Sequence, residues 1–161
     1  MGRPDGRRAG PAGRLRLPVA ALVVLALAGC ATSPMPSASP PPIPSNLPSN
    51  SVGIALQSFA ITPSVDSVKA GNVTFLVENQ ALDIRHEFTV VSTDKDAAAL
   101  PIVGDSIPED QIDLLDGSLE PFPAGETKTA TFDLKPGHYV FMCNIPGHYL
   151  YGMRVNFTVT P

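Results

Sequence analysis

From Ser51 onward the chain alternates between apolar and polar positions in short runs. Val52, Ile54 and Leu56 share a parity, and so do Val73, Phe75 and Val77 against Thr74 and Glu78. Ile84, His86, Phe88 and Val90 oppose Arg85, Glu87 and Thr89, and Ala130, Phe132 and Leu134 oppose Thr129, Thr131 and Asp133. Near the end, Met153, Val155, Phe157 and Val159 oppose Arg154, Asn156 and Thr158. A period of two predicts strands with one face in a core, and Ala70-Gly71 and Pro136-Gly137 punctuate them as turns. His138–Cys143 is apolar at nearly every position, which predicts a central strand buried on both faces. Phe59 and Ile61 fall out of phase with Leu56, as after a bulge. The fold class is therefore all-β, a β-sandwich. Ser92–Glu120 interrupts the pattern as a 29-residue connection. There Ser106-x-x-Glu109 matches a capping box and predicts a short helix that buries Ile112, Leu114 and Leu115.

Composition divides the chain before Ser51. Met1–Arg16 is basic, and Leu17–Ala28 is a 12-residue apolar run. As a helix it would rise about 18 Å, short of the ~30 Å hydrocarbon core, so a secretory signal is the better reading. The run ends in Leu27-Ala28-Gly29-Cys30, which resembles the lipobox of bacterial lipoproteins. That resemblance implies cleavage before Cys30 and a lipid on its sulfur; ordinary signal cleavage beside a chance cysteine is the alternative. Ala31–Asn50 contains 7 prolines and 5 serines in 20 residues and cannot form a packed core. At ~3.1 Å per residue it is a tether of up to about 60 Å. The expected organisation is a signal over 1–29, a lipidated cysteine and linker over 30–50, and one domain over 51–161. The protein is then exported and held on a bacterial membrane, facing the periplasm or cell exterior.

Charge follows the same division. Five arginines lie in the first 30 residues, whereas the rest has six Lys and Arg against fourteen acids, a balance of −8. With no basic cluster, nucleic-acid binding is disfavoured. Eight of the acids lie in Ser92–Glu120, which favours a partner with a basic docking surface.

Four residues carry candidate chemistry: His86, Cys143, His148 and Met153. The last three form a Cys-x4-His-x4-Met run, Cys143-Asn-Ile-Pro-Gly-His148-Tyr-Leu-Tyr-Gly-Met153. Parity puts His86 and Met153 on the apolar side of their strands, and Cys143 in phase with Tyr139 and Phe141. Taken singly, His86 reads as a core histidine, Met153 as a core methionine, Cys143 as a small buried hydrophobe and His148 as a loop residue. Together, two imidazoles, a thiolate and a weak axial thioether are the donors of a blue copper site. Structural zinc prefers four Cys or His ligands. His138, out of phase at a strand start, reads as a solvated turn residue.

Val68-Lys-Ala-Gly71, Val73-Thr-Phe-x-Val-x-Asn79, His86-x-Phe88, Leu134-x-Pro-Gly-x-Tyr139 and the Cys–His–Met loop resemble the cupredoxin family in order, across about 100 residues. The loop spacing resembles the rusticyanin, auracyanin and sulfocyanin branch more than plastocyanin. The resemblance implies a Greek-key sandwich or barrel, one type 1 copper per chain, and His86, Cys143, His148 and Met153 as its ligands. Glu87 stands where several relatives have an Asn that ties two ligand loops. The expected supports around the ligands are the Glu87 backbone N–H, toward the Cys143 sulfur, and the Asn144 side chain as a brace in place of that Asn.

No nucleophile–base arrangement or phosphate-binding loop accompanies these residues, so an enzyme is not expected. The sequence points to a one-electron carrier using Cu(II)/Cu(I), with Ile145, Pro146, Tyr149 and Leu150 as an apolar docking patch around His148 for redox partners. Copper storage or delivery through the same ligands is the rival, although Met-rich or His-rich tracts that would favour it are absent. A copper-free binding sandwich would require the four-residue set to be accidental.

Overall fold

A computed structural model of the chain describes residues 47–161; the expected signal, Cys30 and most of the expected linker lie outside them. Ten strands follow in order: β1 Ser51–Gln57, β2 Ala60–Pro63, β3 Ser67–Lys69, β4 Gly71–Asn79, β5 His86–Ser92, β6 Asp113–Leu114, β7 Leu119–Phe122, β8 Thr127–Leu134, β9 Gly137–Met142 and β10 Arg154–Thr160. Among the described residues there is no α-helix.

Two sheets form the sandwich. One runs β2-β1-β4-β8 and the other β3-β10-β9-β5-β6, with β7 also on β5. Pairing is antiparallel except for β1 with β4 and β3 with β10. The period of two fixes the core. Val73, Phe75 and Val77 of β4, and Ala130, Phe132 and Leu134 of β8, face Phe88 and Val90 of β5, Tyr139 and Phe141 of β9, and Phe157 and Val159 of β10. Phe75 sits amid Phe88, Phe132, Phe141 and Phe157, at ring-centroid distances of 5.5, 5.8, 5.2 and 6.2 Å.

β9 is buried on both sides as its composition requires. Tyr139 and Phe141 point into the sandwich, whereas Val140 and Met142 join Val91 of β5 in a second apolar cluster on the outer face. The connection after β5 covers that face. Ala97, Leu100 and Ile107 pack onto it together with Tyr149.

Two sequence expectations are corrected. The helix anticipated after Ser106 is a single 3-10 turn, Glu109–Gln111, bounded by extended Pro108 and Ile112, with no side-chain cap. Ser106 Oγ instead donates to Asp105 at 3.3 Å. The segment stays extended because Ile107, Ile112 and Leu114 pack against the flat outer face and Leu114 pairs with Val91. The phase break near Phe59 is a hairpin turn rather than a bulge. Gln57 pairs with Ala60, and reversal of the chain resets the parity.

Tyr149 locks the covering segment. Its hydroxyl donates to the Ala97 carbonyl at 2.5 Å and accepts the Leu100 N–H at 3.3 Å, all buried. In Tyr149→Phe both backbone groups lose this partner. The metal-free chain should lose roughly 1–3 kcal/mol, the cost of unpaired buried polar groups, in denaturant unfolding. Exchange of the Leu100 amide should accelerate with it.

Candidate metal centre

The site lies where β5 begins and β9 ends. β5 and β9 pair from Thr89↔Met142 to Ser92↔Tyr139, so His86 and Cys143, beyond the Thr89↔Met142 end of that ladder, arrive at the same pole of the sandwich. His86, Cys143 and Met153 are each 0% exposed. Asn79, also fully buried, organises the approach to His86. Its amide donates to the carbonyls of Ile84 at 2.9 Å and Phe122 at 3.0 Å, and its oxygen accepts the Ala81 N–H. Phe122 is the β7 residue paired with His86.

The loop from Cys143 to Met153 closes on itself through its backbone. His148 N donates to Ile145 O at 2.9 Å, Met153 N to His148 O at 3.1 Å, and Cys143 N to Met153 O at 3.1 Å. Gly147, at φ +84°, makes the reversal that turns His148 back, a conformation that glycine adopts freely. The result is a convergent donor set. His86 Nδ1 and His148 Nδ1 lie 3.2 Å apart, and Cys143 Sγ lies 3.3 Å from His148 Nδ1. One ligand atom from each of the three fits within 4.8 Å of the others. Met153 is buried in the same apolar cluster as Cys143. His86, Cys143 and His148 therefore converge through side-chain atoms, and Met153 is tied to Cys143 and His148 by backbone bonds.

The surroundings keep the donors neutral. Burial, then the neighbouring His148, lowers the His86 pKa from 6.5 to about 4. Burial lowers that of His148 as well. Burial pushes the Cys143 thiol up to about 11, against the backbone N–H groups of Glu87 and Ile145, with the Glu87 charge raising it further. Two neutral imidazoles, one thiol that must release a proton to bind, and a thioether suit a soft-to-borderline ion of the copper kind. His86 Nε2 is buried without a hydrogen-bond partner among the described residues.

The side-chain brace expected of Asn144 falls to Glu87. Glu87 is itself the brace between the ligand segments, its Oε1 accepting the Asn144 N–H at 2.5 Å. Burial raises its pKa, opposed by that hydrogen bond. The Asn144 side chain reaches outward, accepting Ile107 N–H at 2.7 Å and donating to Ile107 O at 2.9 Å. It therefore ties the ligand loop to the acidic connection, as does Gly147 N to Asp105 O at 2.8 Å.

The docking patch needs one correction. Pro146 and Leu150 are exposed and Ile145 is half-buried, but Tyr149 is only 1% exposed. Its ring belongs to the outer apolar cluster, with the Arg154 guanidinium 4.7 Å from its centroid. Tyr151, 73% exposed, takes the surface position instead. Phe59 was not anticipated at all, yet its ring stands against His148 at 5.3 Å; a lone aromatic in a turn carries no periodic signal. His138 is a half-buried strand residue and not a free turn residue, its Nδ1 bonded to Thr93 O at 2.6 Å.

A pH dependence follows. An unfolded His86 takes up a proton near 6.5, but the folded one only near 4. Between those values each fall in pH favours the unfolded state. The unfolding midpoint of the metal-free chain should therefore drop from pH 6.5 toward 4 more steeply than in His86→Gln. Glu87, whose raised pKa acts in the opposite sense, is common to both chains and cancels in the comparison.

No protein-family model matches the sequence. A stretch of 39 residues is 51% identical to Auracyanin-B of Chloroflexus aurantiacus, spanning 24% of this chain and 17% of that protein. The dithionite-reduced auracyanin of Roseiflexus castenholzii superposes with a TM-score of 0.55 at 26% identity, covering 70% of this chain and 98% of that one. A structure of auracyanin B gives 0.53 at 27%, covering 74% and 94%. With its sandwich, its ligand order and these likenesses, the chain has a cupredoxin-like fold, similar to the auracyanins, and brings two imidazoles and a thiol together as the donors that a type 1 copper site uses.

Proposed function

We propose that His86, Cys143, His148 and Met153 hold one copper ion and that the protein carries single electrons between redox partners. The convergence of two Nδ1 atoms and one Sγ within 4.8 Å carries this reading. Bound copper would supply a Cu(II)/Cu(I) couple. The chain's own contribution is to hold the donors in one arrangement for both states. Asn79 stitches the loop before His86, Glu87 ties that loop to Asn144, and backbone bonds close the Cys143–Met153 loop. Little then needs to move when an electron arrives.

His148 is the half-buried member of the set and the natural exit for the electron. Exposed Pro146, Leu150 and Tyr151 on the same loop offer a small apolar contact suited to brief docking, of the kind that buries less than ~1,200 Å². The acids of Ser92–Glu120 would steer a basic partner toward it. Cys30 is proposed to carry a lipid that holds the exported domain on a bacterial membrane; among the described residues no helix is long and apolar enough to cross one. We read the protein as a carrier rather than an enzyme, since Cys143 and the paired histidines serve the metal. Storage or delivery fits less well, because three of the four ligands are fully buried.

Loading the full-length chain with Cu(II) should give an intense blue thiolate-to-copper absorption that is lost in Cys143→Ser; a colourless wild type overturns the assignment. Rapid loss of Cu(I) to a mild chelator would favour delivery. Electron exchange with a basic redox protein should slow as salt rises from ~0.01 to ~0.1 M, where the screening length falls from ~30 to ~10 Å.

A further inference from the structure

Phe59 occupies the two-residue turn between β1 and β2 with φ +60°. That left-handed conformation is ordinary for glycine or asparagine and an outlier for a bulky side chain. Strain of this kind persists where the surroundings hold it, and it gathers at functional sites. The surroundings here are specific. The Phe59 ring meets the His148 imidazole in a T-shaped contact, centroids 5.3 Å apart and planes at 89°. Tyr151 leans on the same ring at 5.0 Å and 52°. The turn lies against Gly152, where a Cβ would make an ordinary 3.6 Å contact with the Phe59 carbonyl oxygen. His148 is otherwise positioned by loop backbone and by its contacts with His86 and Cys143.

We infer that Phe59 is a positioning residue for His148: its ring, presented by a left-handed turn of the opposite sheet, fixes the imidazole with Nδ1 aimed at His86 and Cys143. The inference rests on His148 being a copper ligand for its consequence, but the positioning itself belongs to the metal-free chain. Without the ring, the imidazole loses the aromatic contact that braces it on that side. Edge-to-face pairing also favours the T-shaped geometry over a slipped one.

Phe59→Gly separates ring from backbone, because glycine takes φ +60° without strain. The metal-free variant should unfold at or above the wild-type temperature. Its His148 ring proton signals should nevertheless lose the ring-current shift that Phe59 imposes, while those of His138, at the other end of β9, stay put. Loaded with Cu(II), it should lose the metal to a chelator roughly three- to tenfold faster, the factor an aromatic pair is worth. Phe59→Tyr should restore both behaviours. Unchanged His148 signals in Phe59→Gly, or copper loss within twofold of wild type, overturns the inference, as does marked destabilisation of the metal-free variant. A wild type that binds no copper would defeat the carrier reading and leave the ring-current comparison intact.

Discussion

The site exists because β5 and β9 pair in one register. The pair Val90↔Phe141 sets His86 and Cys143 at the same pole and on the same face. A slip of one residue would put them on opposite faces, since strand side chains alternate. What forbids the slip is aromatic packing. Phe88 and Phe141 meet at 5.1 Å, Phe141 and Phe157 at 4.6 Å, and Phe75 closes on all three from the other sheet. The positions of the donors are thus inherited from hydrophobic register, and the polar chemistry is a terminal consequence of the core.

That dependence explains what was legible. His86 and Cys143 sit within alternating runs, so their parity alone gives the face they occupy, and the Cys-x4-His-x4-Met spacing gives the loop. Parity cannot report which turn approaches a loop from the other sheet, so Phe59 went unseen. Tyr149 misled for a related reason: loop position suggests exposure, yet its ring and hydroxyl are buried in the covering layer. Glu87 lies outward by parity, as expected, but its reach to Asn144 depends on the distance between two loops, which no spacing encodes. The capping-box signal failed because local preference yielded to the apolar outer face of β5 and β9.

The acidic connection has an inner and an outer surface with different work. Inward, Ala97, Leu100 and Ile107 close the outer face of the second sheet. Side chains pin it there: Asn144 grips Ile107 through two bonds, Tyr149 reaches Ala97 and Leu100, and Asn156 Oδ1 accepts the Ala97 N–H at 2.7 Å. Two of those three anchors, Asn144 and Tyr149, belong to the ligand loop. The segment therefore buttresses the loop from outside while Glu87 and Asn79 support the pole from within. Its acids remain toward water, where they shape the field met by an approaching partner.

Burying a carboxylate such as Glu87 beside a thiol is unfavourable in isolation, because its charge opposes formation of the Cys143 thiolate and its own desolvation raises its pKa. A cation held by these residues would reverse both effects, stabilising the thiolate and giving the Glu87 carboxylate a positive neighbour. In the metal-free chain the raised Cys143 pKa and the lowered His86 pKa keep these two donors uncharged, so the core folds around neutral donors. The same groups would become ligands once the thiol released its proton to a bound ion. Stability without the metal and affinity for it therefore draw on one arrangement, and it is the rigidity of that arrangement that suits it to exchanging electrons with little motion.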